Sequence, residues 1–241
     1  MHTICKVCCL PARALFKVPM IGPLVKVYST SVGQKILMAL TGLALCGFLV
    51  AHLAGNLLLF GGETPFNEYA EKLHSTGPLL AVAETGLFAV FALHLLLAMS
   101  TTAMSRQARK GDYAVKDSKQ RIFILPGGGA SGWMLVTGVL VLVFLVLHII
   151  DMKLNLRGFE GGDNKFVHVR NVLADPIVFV VYLVGLIALG IHLSHGVKSA
   201  LQSLGINHTR WNDLICVLGL VFAWAVAAGF LSILAWGVGV S

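Results

Sequence analysis

The stretch "IALGIHLSHGVKS", residues 187–199, sets His192 and His195 one helical turn apart in a run that is otherwise almost wholly apolar. An ionisable side chain in such a run is costly in hydrocarbon, and at membrane depth it is a functional residue by default. The surroundings decide which medium this segment occupies. A bilayer core takes about 20 apolar residues as a helix, and the stretch 176–197 is long enough to cross it. Four more stretches meet the same test, at about 36–60, 79–104, 132–150 and 214–238.

Composition agrees. The 241 residues are 57% hydrophobic and 12% charged, whereas soluble domains run nearer about a quarter charged. Lipid excludes open sheets and irregular loops. The expected fold is therefore all-α, an integral membrane bundle of five transmembrane helices over 31–241, preceded by a basic tail over 1–30. The links between spans are too short for a second domain.

The net charge of +7 would suit nucleic acid if it were clustered, but its distribution is topological. Lys6, Arg13, Lys17, Lys26 and Lys35 precede the first span, Arg106, Arg109, Lys110, Lys116, Lys119 and Arg121 follow the second, and Lys198 and Arg210 follow the fourth. The opposite loops hold only Lys72, Lys153, Arg157, Lys165 and Arg170. By the positive-inside rule the N-terminus and the even-numbered loops are cytoplasmic and the C-terminus is outside, in a multi-pass protein of the cytoplasmic (inner) membrane. No aromatic-interleaved basic patch supports nucleic-acid binding. The first residues, basic and free of acids, are similar to a transit peptide but lack a continuous apolar core, so a retained cytoplasmic tail is expected. Cys5, Cys8 and Cys9 have no nearby Cys/His pair to complete a tetrahedral metal site. Cys46 and Cys216 lie inside spans as packing residues, and the absence of C-x-x-C-H excludes covalent haem attachment.

Of nine histidines, five are intramembrane: His52, His94, His148, His192 and His195. Any one alone could be hydrogen-bonding glue between helices. Their joint placement says more. Lys35 to His52 and Ser131 to His148 are both 17 residues, and Pro78 to His94 and Pro176 to His192 are both 16. At 1.5 Å per residue each histidine lies about 24–25 Å beyond its helix start. Spans one and three run outward, so His52 and His148 share the outer depth; spans two and four run inward, so His94 and His192 share the inner depth. Two imidazoles at one depth on separate helices are what bis-histidine ligation of a haem requires. Gly55, Gly86, Gly138, Gly190 and Gly196, near these histidines, are expected to leave room for a porphyrin, although small residues also let helices pack closely with no cofactor.

Cytochromes that carry two histidines on each of two helices match poorly. With "SVGQKILMALTGL" leading to "AHLAGNLLLFGG", then "FNEYAEKLHS", "AETGLFAVFALHLLLA", "FLVLHIIDMK" and "HLSHGVKSALQSLGINH", the chain resembles the dihaem cytochrome b membrane-anchor subunit of succinate:quinone oxidoreductases and fumarate reductases over about 31–211. The resemblance implies two haem b groups ligated by His52 with His148 and by His94 with His192, the first histidine of the H-x-x-[HN]-G segment being the ligand. It implies two partners on the cytoplasmic face, an FAD flavoprotein that interconverts succinate and fumarate and an iron-sulfur protein, with a quinone, menaquinone being the expected species, as electron partner. No Rossmann glycine fingerprint or cysteine run in this chain could hold FAD or a cluster. Some such anchors place a glutamate beside the ligand on their fourth helix for proton movement; here Gly190 and Ile191 precede His192, which speaks against that route.

Glu84 is the acidic residue read as squarely inside a span, toward its outer half, and is the expected proton-transfer group at an outer quinone site; the alternative is a locally paired structural carboxylate. Ser31, Gln34, Lys35 and Lys198 are placed for the inner haem's propionates and Asn56, Lys153 and Arg157 for the outer one's. His195, a turn nearer the cytoplasm than His192, is expected as a propionate or quinone-side hydrogen-bond partner. Trp211, Trp224 and Trp236 are read as interface or packing residues. Two other readings stay open from the residues: the cytochrome b subunit of a hydrogenase- or formate-dehydrogenase-type complex, and a haem-free proton-relay carrier.

Overall fold

A computed structural model describes residues 30–108, 130–208 and 210–239. The tail cysteines Cys5, Cys8 and Cys9 and most of the basic segment between the second and third spans lie outside the described residues. Seven α-helices are described: α1 (Ser31–Asn56), α2 (Glu63–Ser75), α3 (Pro78–Ala108), α4 (Ala130–Met152), α5 (Lys165–Ala174), α6 (Pro176–Ser203) and α7 (Asn212–Gly239). Five of them, α1, α3, α4, α6 and α7, are long and apolar enough to cross a membrane. The expected all-helical bundle of five spans holds, and no strand occurs among the described residues.

Polar residues at the helix starts satisfy the first free N–H groups. Thr30 accepts from the amide of Gly33 at 3.0 Å to open α1, and Asn164 accepts from Val167 at 3.1 Å to open α5. Asp175 accepts from both Ile177 and Val178 ahead of α6, and Pro176 fills the first helical position, where a missing N–H costs nothing. Past α1 a 3-10 turn, Leu57–Gly61, runs into Gly62, whose φ of 96° favours glycine, and the chain turns into α2.

Four spans form a square with one open side. Close backbone approaches join α1 to α3, α1 to α6 and α4 to α6, and α7 packs along α6 in the most extensive contact of all. The pairs α1–α4 and α3–α6 do not figure among the closely packed helices of the described residues; they are the diagonals. Neighbouring helices sit about 8–10 Å apart, so a diagonal spans about 11–14 Å and leaves room for two side chains and something between them. α6, touching three other spans, is the most buried of the five, and α3 and α4 are the least buried.

The short helices α2 and α5, which the sequence reading had not separated from loops, plug one end of the bundle. Phe66 and Phe166 meet edge to face at 6.4 Å, and Phe166 meets Trp236 of α7 at 5.6 Å. A polar clasp joins the two helices: Asn67 donates to Asn164 at 2.9 Å, and Asn164 donates to Glu63 at 2.6 Å.

Two of the five glycines are used differently from the expectation. At Gly55 an added methyl would lie 2.5 Å from the Tyr69 hydroxyl, and at Gly190 it would lie 3.1 Å from Ala227 and 3.2 Å from Trp224. Those two glycines seat aromatic side chains of α2 and α7, because the helices pack closer there than a side chain allows, and they leave no porphyrin space. Gly86 and Gly196 face nothing within 4 Å.

Candidate functional site

Two histidine pairs lie on the two diagonals, toward opposite ends of the bundle. At the α2/α5 end, His52 of α1 and His148 of α4 have ring centres 5.9 Å apart and planes at 87°. Phe48 stacks on His52 at 5.3 Å and Phe230 of α7 approaches it at 5.7 Å; Phe144 and Tyr182 each stand 5.7 Å from His148. Asn56 turns its amide back to the His52 carbonyl at 2.8 Å and comes no nearer than 3.4 Å to the ring nitrogens. Nδ1 of His148 is buried with no hydrogen-bond partner. A buried nitrogen left in that state is costly unless something absent from the polypeptide satisfies it.

At the opposite end, His94 of α3 and His192 of α6 lie within electrostatic range of one another. Each is held by the neighbouring span. The Thr41 hydroxyl of α1 is 3.0 Å from Nδ1 of His94, and the Thr137 hydroxyl of α4 is 3.3 Å from Nδ1 of His192. Glycines follow both threonines, so the rings lie against bare backbone: an added methyl at Gly42 would be 3.4 Å from Cε1 of His94, and one at Gly138 would be 3.5 Å from Cε1 of His192.

These residues fit a bis-histidine haem. With metal–imidazole bonds of about 2 Å, two rings on opposite sides of one iron have centres about 6 Å apart, close to the 5.9 Å between His52 and His148. Among the described residues no group of three or more His, Cys, Asp or Glu side chains could hold a metal ion. Pairs on separate helices suit a macrocycle that brings its own four nitrogens and asks the protein for two ligands only.

The remaining sequence-picked residues fall into two groups. Ser31 and Lys35 are exposed at the start of α1, while Gln34 is buried and accepts from Ser100 of α3 at 2.9 Å. His195 and Lys198, both half-buried on α6, lie within electrostatic range of one another, and His195 is also within range of His192. All five thus sit toward the His94/His192 end. Glu84 of α3 forms an ion pair at 2.5 Å with Lys153, just past α4, both side chains being nearly half exposed. Lys153 is thus paired with Glu84 of α3.

Arg157 is engaged as well, and by a residue the sequence reading missed. Its Nε and Nη2 donate to the two carboxylate oxygens of Asp151 at 2.7 and 3.0 Å. Asp151, 1% exposed, also accepts from the Tyr182 hydroxyl at 3.3 Å, and its carbonyl accepts from Nε2 of His168 at 3.0 Å. The hydrogen bond from Asp151 raises the Arg157 guanidinium above its ordinary pKa. Asp151 escaped notice because the third span was ended at 150, one residue short. The signal available was the i, i+3 spacing that puts Asp151 on the face of His148.

The fold and its histidine pairs define a helical bundle, five of whose helices are long and apolar enough to cross a membrane, in which two pairs of imidazoles come from separate helices. The chain is similar to the succinate dehydrogenase cytochrome b558 subunit of Bacillus subtilis (strain 168), with 25% identity over 162 residues, 67% of this chain and 74% of that protein. This match bears out the resemblance drawn from the motifs. No family model and no solved structure matches the chain.

Proposed function

We propose that this chain is the membrane-anchor cytochrome b subunit of a succinate:quinone oxidoreductase of the succinate dehydrogenase/fumarate reductase type. The observation that carries the proposal is the placement of His52/His148 and His94/His192 on the two diagonals of one bundle, together with the similarity to a succinate dehydrogenase cytochrome b558 subunit. In this reading each histidine pair would hold one haem b, which would supply reversible one-electron chemistry.

The polypeptide's own part is ligation, orientation and exclusion of water. Phe48, Phe144, Tyr182 and Phe230 wall the His52/His148 site with aromatic rings, and Thr41 and Thr137 hold the other pair. Charge distribution supports a cytoplasmic position for the His94/His192 end, where the iron-sulfur partner, linked to the flavoprotein, would exchange electrons with the chain. The α2/α5 end would then face outward, toward the quinone. In that arrangement Glu84, half exposed and paired with Lys153, is the carboxylate that passes protons between quinone and water.

The test is the reduced-minus-oxidised spectrum of the purified complex with haem counted per flavin. Two b haems per flavin are expected; one or none overturns the reading. The proton role is separate: Glu84→Gln is expected to slow quinone turnover with both haems retained, and unchanged turnover removes Glu84 from the mechanism.

A further inference from the structure

We propose that Thr41 and Thr137 are positioning residues that fix the tautomer, ring plane and donor strength of His94 and His192; the inference rests on the ligand reading above. Its starting point is the single proton of each hydroxyl. Thr41 Oγ1 lies 2.9 Å from the carbonyl of Leu37 and 3.1 Å from that of Met38, and Thr137 Oγ1 lies 2.9 Å from that of Trp133 and 3.3 Å from that of Met134. Inside an apolar helix those carbonyls take the hydroxyl proton. Toward the imidazole each threonine then has only lone pairs to offer, so it accepts from Nδ1–H of its histidine; His192 also has the Met134 backbone carbonyl, an acceptor only, as a hydrogen-bond partner. With the proton on Nδ1, the unprotonated nitrogen of both rings is Nε2, the one left to bind a metal.

The arrangement occurs twice in the chain. Thr41-Gly42 precedes His52 on α1 at the spacing by which Thr137-Gly138 precedes His148 on α4, eleven residues from threonine to histidine in both. Eleven residues are close to three helical turns, so the threonine and the histidine of one helix share a face, about 16 Å apart along the axis. α1 and α4 therefore each serve both sites, giving a ligand to one and an orienting acceptor to the other. Each threonine reaches the histidine of an adjacent helix, α1 to α3 and α4 to α6, while the two histidines sit on diagonal helices within electrostatic range of one another.

An accepted Nδ1–H makes an imidazole a stronger donor and orients it. Stronger donation favours the ferric state, so removing the acceptor should raise the midpoint potential of that haem. The His52/His148 rings are walled by Phe48, Phe144, Tyr182 and Phe230 instead, so the device belongs to the His94/His192 site alone.

The experiment uses the whole complex in native membranes, with Thr41→Val, Thr137→Val and the matching serine variants. Redox titration of the haem spectrum and low-temperature electron paramagnetic resonance of the ferric haems are the readouts, and the component that disappears in His94→Ala identifies the site. Both valine variants should move the midpoint of that component upward and change its low-spin signal, with the other component unmoved and Thr41, at 3.0 Å, showing the larger shift. The serine variants should return both readouts to the native values. Valine variants that keep the haem with native midpoint and signal overturn the proposal. If valine expels the haem, serine decides: a native component supports the proposal, and loss equal to that of valine overturns it. Should His94→Ala itself spare both components, the ligand reading fails rather than this one.

Discussion

The two ends of the bundle solve one problem by different means. At the His94/His192 end the imidazoles are held by hydroxyls of adjacent spans and rest on glycine backbone. At the α2/α5 end His148 has no acceptor for Nδ1, and the pair is boxed by Phe48, Phe144, Tyr182 and Phe230 instead. Hydrogen bonds fix a direction; aromatic walls fix a volume. One polypeptide thus offers two environments to what is proposed to be the same cofactor, and two environments are the means by which a protein sets two potentials along one electron path.

Three perturbations bear on that comparison. The largest effect is expected at the ligands. His52→Ala and His148→Ala should each abolish one b-haem component, and His94→Ala and His192→Ala the other. Absorption spectra of membranes carrying each variant check this, and loss of one component from His52→Ala with loss of the other from His148→Ala breaks the pairing. A middle effect is expected beneath the aromatic box. Arg157→Ala strands the Asp151 carboxylate, 1% exposed, without its bidentate partner. Uncompensated buried charge costs about 3–5 kcal/mol, so thermal unfolding of the purified complex should fall sharply and the His52/His148 component should be lost first. Asp151→Asn keeps the side-chain shape and leaves no stranded anion, so it should cost less. The smallest effect is expected from Lys153→Met, which removes the half-exposed partner of Glu84. Such pairs contribute about 0–1 kcal/mol, and the unfolding midpoint should stay close to native; a large drop would mean that the pair ties α3 to α4 across the open side of the square.

Much of this was legible in the chain before any coordinates. The five spans fall within a few residues of the described helices because about 20 apolar residues leave the backbone no alternative in lipid. The common depth of His52 and His148 followed from alternating helix direction. Gly55 and Gly190 misled, since an apolar helix with glycines reads alike whether the gap receives a cofactor or Tyr69 and Trp224. Thr41 and Thr137 drew no attention for a similar reason: a threonine that bonds its own helix carbonyls is ordinary in a membrane span, and its second partner, on a helix more than 50 residues away, has no local trace.

By itself the sequence determined the number of spans and one histidine well along each of the first four, because these depend on transfer to hydrocarbon and on the rise of a helix, both local quantities. Only the tertiary structure decided which helices stand on the diagonals, which hydroxyl meets which imidazole, and that Asp151 engages Arg157. Those outcomes depend on side-chain packing between segments distant in sequence, and no apolar helix carries in its own residues the identity of the neighbour it will meet.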